Sequence, residues 1–191
     1  MYLSHVLSNQ SGYMKANQTQ FRDELRLVAS TEKIVLKPIG VIHTNASDNQ
    51  IKEENREVEA VVEIFPEFEE ALEGLDGYSH LFIISYLHKL RPDQIGFLKV
   101  KPKRATRKGF RLEELPTLGV FALDSPTRPN PIGLTLVRLD KRDHRNLSVS
   151  GIDLFDGTPV IDIKAHQPDY EATKYSMPEW YLKIMNRNGH V

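Results

Sequence analysis

The residues best suited to chemistry are packed into Asp124-Ser125-Pro126-Thr127-Arg128-Pro129-Asn130-Pro131-Ile132-Gly133-Leu134. Each proline fixes its own φ near −65° and drives the residue before it, here Ser125, Arg128 and Asn130, towards extended backbone. The segment therefore reads as a stiff, non-helical turn holding acid, hydroxyl, guanidinium and amide groups in few possible directions. A rigid polar loop between apolar segments is a common place for function, although prolines are also ordinary loop punctuation. A second cluster is electrostatic. Residues 99–111 hold seven basic residues, Lys99, Lys101, Lys103, Arg104, Arg107, Lys108 and Arg111, and no acid. With Pro102 and Gly109 inside it, this run reads as a loop suited to contacting phosphates, or to balancing the ten acids between Glu53 and Asp76. Asp153, Asp156 and Asp162 surround the turn Asp156-Gly157-Thr158-Pro159. Histidines at 80 and 88 bracket an apolar run, a position more often structural than catalytic. No pair of histidines has the helical spacing of a metal site, so no metal is expected.

These residues need elements to hold them. At 191 residues and a formal net charge of −1, the chain suits one domain, or one domain with an appendage, and bulk charge does not organise it. There is no cysteine, which excludes thiolate nucleophiles, disulfides and thiolate zinc sites. No apolar run reaches the roughly 20 residues of a membrane span, and the start lacks the features of a signal peptide. A soluble cytoplasmic protein is expected.

Residues 1–33 read as an extension, polar over 4–20 and then a short amphipathic helix through Phe21, Leu25 and Val28. A main domain covers residues 34–170. Strands are expected over 34–43, at 58–64 where Val58, Ala60, Val62 and Ile64 alternate with Glu59 and Glu63, and at 81–87, a continuous apolar run read as buried on both faces. Further strands are expected at 117–123 and 132–139 around the proline loop, at 147–155 and at 160–163. Residues 44–57 read as a polar loop. Pro66 starts a short helix ended by Gly74 and Gly77. Residues 171–191 form a tail in which Ser176 and Glu179 could make a capping box with Pro178. Strands and helices do not alternate and no glycine fingerprint follows the first strand. The fold class is mainly β, a small barrel or curled sheet with a few short helices.

The motifs together resemble the TsaA/TrmO family, the YaeB-like S-adenosylmethionine-dependent tRNA methyltransferases. The resemblance runs from Lys37-Pro38-Ile39-Gly40-Val41-Ile42-His43-Thr44 through Leu75-Asp76-Gly77-Tyr78-Ser79-His80-Leu81 and Gly119-Val120-Phe121-Ala122. Its centre is Ser125 to Leu134, and it ends with Gly151-Ile152-Asp153, Asp156 to Val160 and Asp162-Ile163-Lys164. It implies a small β-barrel that forms a homodimer and binds S-adenosylmethionine near the proline loop, partly at the subunit interface. The implied product is a methyl group on N6 of threonylcarbamoyladenosine beside the tRNA anticodon. By position, the cofactor contacts fall at His88 and Lys89, at Asp124, Ser125, Arg128 and Asn130, at Leu134, at Leu154, Phe155, Asp156, Gly157 and Thr158, and at Asn49 and Gln50. The basic run 99–111 would hold tRNA.

Two positions depart from the family pattern. Leu123-Asp124 stands where members carry Thr-Arg, and Asp48-Asn49-Gln50 where they carry Pro-Arg-Gln. Each change removes an arginine, and Arg to Asp alters charge by two units. Methyl transfer from a sulfonium needs donor and acceptor held in line and water excluded. It also needs somewhere for the acceptor's proton to go, for which Asp124, His88 and Asp156 are candidates. Three readings follow: the tRNA methyltransferase, a methyltransferase of the same fold with another acceptor, and a non-catalytic module that binds adenosine or RNA.

Overall fold

The structure, a computed structural model, describes residues 34–53 and 58–187. The segment expected to be weakly ordered at 4–20 and the helix through Phe21, Leu25 and Val28 lie outside the described residues. One compact unit begins at Lys37. Its centre is a closed barrel of six antiparallel strands: β1 (Gly40–His43), β2 (Glu59–Ile64), β3 (His80–Tyr86), β6 (Ile132–Asp143), β7 (Asn146–Ser150) and β8 (Pro159–Ala165), joined in the order β1-β2-β7-β6-β3-β8. A separate two-stranded ribbon pairs β4 (Lys99–Val100) with β5 (Leu118–Gly119).

Alternation dictates what lies inside. Ala60, Val62 and Ile64 of β2, Leu81 and Ile83 of β3, and Leu147 and Val149 of β7 are buried. Closing the sheet leaves no unpaired edge. Burying each such side chain contributes roughly 1.5–3 kcal/mol, so the barrel wall is the stable frame on which loops are hung.

Several expectations are corrected. The strand expected at 34–43 begins only at Gly40, because Pro38 has no N–H to donate to a ladder. The run 81–87 is not buried on both faces. Leu81, Ile83 and Ser85 point inward, whereas Phe82 and Ile84 are half-buried and Tyr86 is exposed. Phe82 is apolar because it packs outside the barrel, 5.3 Å from the ring of Tyr170 and 5.5 Å from that of His166. Residues 117–123 contribute only the two residues of β5, followed by a 3₁₀ turn at Val120–Ala122. The strand expected to reach Phe155 stops at Ser150, where Gly151 adopts φ 85°. The basic run is not a plain loop, since Lys103–Lys108 forms a 3₁₀ helix anchored by buried Ala105.

Among the described residues two α-helices accompany the barrel strands. Helix α1 (Asp48–Glu53) lies inside the stretch read as a polar loop. Helix α2 (Glu179–Asn186) is entered through Pro178, and no side-chain cap bonds its N-terminus, so the Ser176–Glu179 box does not form. Among the described residues no helix is long and apolar enough to cross a membrane.

Candidate functional site

The site is built where the chain leaves β3 and enters β6 and β8. Leu87, one residue past β3, donates its N–H to the Pro131 carbonyl at 2.8 Å. That bond ties the pair His88-Lys89 to the proline loop. The loop is held internally as well. Ser125 Oγ and Thr127 Oγ1 are 2.9 Å apart, and Arg128 turns back to donate to the Leu123 carbonyl at 2.9 Å and the Val120 carbonyl at 3.5 Å. The Thr127 carbonyl accepts the N–H groups of Gly96 and Phe97 at 3.1 and 3.0 Å. Arg128 thus fixes the loop rather than presenting its guanidinium to solvent. Asp124 and Asn130 are exposed, and among the described residues no hydrogen bond or ion pair engages the Asp124 carboxylate.

Gly133 is where loop and barrel touch most closely. It faces Ser85 across the β3–β6 ladder. A Cβ on Gly133 would lie 2.6 Å from Ser85 Oγ, 3.1 Å from Leu87 Cδ2 and 3.5 Å from Leu154 Cδ2. Only glycine leaves room for Ser85, Leu87 and Leu154 to converge. The register of β3 on β8 shifts between Ile84 and Ser85, the kind of irregularity that re-aims side chains beside a site.

The acidic turn closes the other side. Asp156 Oδ1 accepts the Thr44 N–H at 3.1 Å, and Gly157, at φ 76°, donates its N–H to the Ile42 carbonyl at 2.8 Å. An L-residue at 157 would be strained in that left-handed conformation. The His88 Nε2 lies 4.0 Å from the point a Cβ on Gly157 would occupy. Lys89 Nζ pairs with Asp48 Oδ1 at 2.6 Å and sits 4.8 Å from the Phe155 ring centroid, while Lys52 Nζ approaches the same ring at 5.5 Å. Helix α1, the residues after β3 and the turn before β8 therefore share one end of the barrel.

Electrostatics mark His88. Burial, reinforced by the Lys89 charge, pushes its imidazole below the usual histidine value against the smaller opposing pull of Asp48 and Asp156. The ring is neutral at physiological pH. Its Nδ1 is buried without a hydrogen-bond partner among the described residues, as are Ser85 Oγ and Arg128 Nε. These unpaired atoms all lie on the segments that meet at this end of the barrel. Orphaned buried polar atoms are uncommon, and two of these stand at the end of β3 and just beyond it.

Not every sequence candidate gathers here. Leu134 is 67 % exposed on the outer wall. Thr158 is buried, and Leu154 packs into the core. Asn49 is exposed on α1, whereas Gln50 is committed: its Oε1 accepts from the Ser47 N–H and hydroxyl at 3.0 and 3.1 Å, and Ser47 Oγ accepts the Gln50 N–H at 3.3 Å. This capping box was readable as Ser47-x-x-Gln50. Sequence reasoning also missed Ser85, which no local motif marks. Of the basic run, Lys101 bonds the Leu112 carbonyl, Arg111 pairs with Glu114, and Arg104 reaches Asp153 at 3.9 Å. Lys99, Lys103 and Arg107 are exposed and unpaired among the described residues. A groove of about 380 Å³ beside Lys37, Val41 and Phe65 contains none of the candidate residues.

The described residues combine a proline-locked loop with a closed six-stranded barrel and hold no dinucleotide-binding fold, and comparison with known proteins gives the chain its family. The model of the tRNA-methyltransferase O N-terminal domain matches residues 43–172. This chain belongs to that family. It is 33% identical over 158 residues to a probable S-adenosyl-L-methionine-binding protein of Pyrococcus abyssi (strain GE5 / Orsay), covering 81% of this chain and 79% of that protein. It is 42% identical over 109 residues to the tRNA (adenine(37)-N6)-methyltransferase of Mus musculus, covering 57% of this chain and 23% of that enzyme. A crystal structure of TrmO superposes with a TM-score of 0.59 at 32% identity, over 78% of this chain. This chain spans 64% of that solved chain.

Proposed function

We propose that this protein is an S-adenosylmethionine-dependent tRNA methyltransferase. We propose further that its acceptor is the N6 nitrogen of threonylcarbamoyladenosine next to the anticodon. The observation that carries the reading is the convergence of His88-Lys89, the proline loop and the Phe155–Thr158 turn on one end of the barrel, with Ser85 Oγ and His88 Nδ1 left unpaired there. The family match and the printed functions of relatives support it.

The donor set suits the cofactor's mixed charges. Lys89 would meet its carboxylate, Asp124 and Asp156 its cationic groups, and the backbone around Gly157 its polar edges. Asn130 and Asn49 are exposed and free to add hydrogen bonds, whereas Ser125, Arg128 and Gln50 would act by fixing the loop and α1. When bound, S-adenosylmethionine supplies an electrophilic methyl carbon, which forms a bond to the acceptor nitrogen as its bond to sulfur breaks. The protein's share is to orient and to exclude water, for which a loop held by three prolines and by Arg128 is preorganised. The neutral His88 imidazole is the proposed acceptor of the proton that the nitrogen sheds. Lys99, Lys103 and Arg107 would contact tRNA phosphates.

The outer wall supports a homodimer. Leu134, Leu136, Ile132 and Tyr86 are exposed on adjacent strands β6 and β3. A second copy of this chain covering them would bring Leu134 to a site shared between subunits.

The test is calorimetry with S-adenosylmethionine, followed by methyl transfer to tRNA with and without the threonylcarbamoyl group. Heat of binding and transfer only to the modified tRNA are expected. Absence of cofactor binding would end the reading, and equal transfer to both tRNAs would end the assignment of the acceptor.

A further inference from the structure

Helix α2 lies beyond residue 172, where the family match stops, yet it is fastened to the basic segment. Lys108 Nζ is 3.4 Å from Met185 Sδ. The Arg187 guanidinium stacks 4.0 Å from the Phe110 ring centroid and lies 3.6 Å from Glu114. Glu114 is also paired with Arg111 at 2.9 Å. Arg187 thus helps to neutralise the carboxylate next to the basic run, in which Lys99, Lys103 and Arg107 are exposed and unpaired among the described residues. The half-buried residues of α2, Trp180, Ile184 and Met185, form its inner side. Lys183 lies on its outer side, Tyr181 borders the inner side one turn before Met185 and keeps 36 % exposure, and the approach to the helix offers Lys174 and Tyr175, the latter 76 % exposed. Neither lysine is ion-paired among the described residues. Charge alone does not select a ligand here, because Glu171 and Glu179 share the segment. The combination does. Two exposed rings, Tyr175 and Tyr181, accompany two unpaired ammonium groups, Lys174 and Lys183, beside the basic segment. That pattern fits single-stranded RNA, whose bases stack on rings while its phosphates take the cations.

We propose that Lys174–Arg187 extends the RNA surface of residues 99–111, with Tyr181 as a base-stacking platform and Lys183 as a phosphate contact. The proposal rests on the tRNA reading above. Trp180 is the only tryptophan and its ring lies 5.6 Å from that of Tyr181, so it reports on this surface directly. Bulk tRNA titrated into the full chain at several salt concentrations should change Trp180 emission saturably. Tyr181→Ala should weaken tRNA binding roughly 5- to 100-fold, the usual range for one stacked base. Lys183→Ala, an exposed change that leaves the fold intact, should lower the slope of log affinity against log salt by about 0.7–1. If tRNA shifts the protein on a gel while Trp180 emission stays constant and both variants bind as the parent does, the proposal is overturned and the tRNA reading stands. If tRNA does not bind at all, both fall, and S-adenosylmethionine binding measured alone shows whether the cofactor site survives.

Discussion

The close approach at Gly133 makes a sharp test of the site's construction. In Gly133→Ala the new methyl carbon would stand 2.6 Å from Ser85 Oγ, far inside van der Waals contact, in a wall where Ser85 is fully buried. Overpacking of this kind costs about 1–3 kcal/mol. Replacing a strand glycine by alanine returns roughly 0.5–1 kcal/mol through chain entropy and propensity. The net expectation is a loss of about 1–2 kcal/mol, or about 3–6 °C in Tm at this chain length. Ser85→Ala alone should change stability by less than about 1 kcal/mol, because the hydroxyl it removes has no hydrogen-bond partner to lose. In the Ser85→Ala background the main clash is gone. Leu87 Cδ2 at 3.1 Å and Leu154 Cδ2 at 3.5 Å are ends of flexible side chains and can yield by a few tenths of an ångström. Alanine at 133 should then be neutral or stabilising. The double-mutant cycle, followed by thermal and denaturant unfolding, should return a coupling of about 1 kcal/mol or more. An equal penalty in both backgrounds, or a stabilised single variant, would refute the contact. Affinity for S-adenosylmethionine should fall for Gly133→Ala.

Three further outcomes are expected. Gln50→Ala removes the side chain that closes the cap of α1 and should cost about 0.5–2 kcal/mol, seen as faster amide exchange confined to α1. The lowered His88 value means the unfolded chain binds this proton more readily than the native one. Its contribution to stability is therefore complete above the ordinary histidine value, about 6.5, and is lost as pH falls below it, towards the depressed native value. His88→Gln should flatten the dependence of stability on pH in that window and, if His88 takes the proton, remove the acid limb of the methyl-transfer profile. Asp124→Arg alters an exposed residue, so stability should move by no more than about 0.5 kcal/mol, while calorimetry should show weaker S-adenosylmethionine binding. Unchanged affinity would remove Asp124 from the site.

The barrel was largely legible because its signal is alternation. Val58 to Ile64 shows which side faces in without any tertiary information, whereas in β6 the apolar Ile132, Leu134 and Leu136 lie on the outer face and Thr135 and Val137 face in. Residues 81–87 misled for a physical reason. An apolar outer face at Phe82 and Ile84 looks the same in sequence whether another sheet or an aromatic cluster lies against it. The ends of strands were misjudged where turn chemistry outweighed apolar content, as after Ser150 and at Val120. At the site, the proline loop and the turn at Gly157 announced themselves through residues with restricted or permissive backbones. Ser85 and the pairing of Lys89 with Asp48 could not be read, because each depends on residues 40 or more positions apart meeting in space. Helix α1 could have been found from Ser47 and Gln50, whose spacing is the signature of a closed cap.

Thr127 and Pro131 give the proline loop a further role. One carbonyl holds the amides of Gly96 and Phe97, ahead of β4, and the other holds the amide of Leu87, at the exit of β3. Five residues of stiff backbone, Thr127 to Pro131, thus rivet the two-stranded ribbon that begins the basic segment to the strand end that carries His88. Neither end can swing away without breaking bonds at the other. In hydrogen exchange, Leu87, Gly96 and Phe97 should open as a single cooperative unit, so tension applied by a polyanion gripping the ribbon would reach the proposed methyl-transfer site as a shift in the timing of that opening.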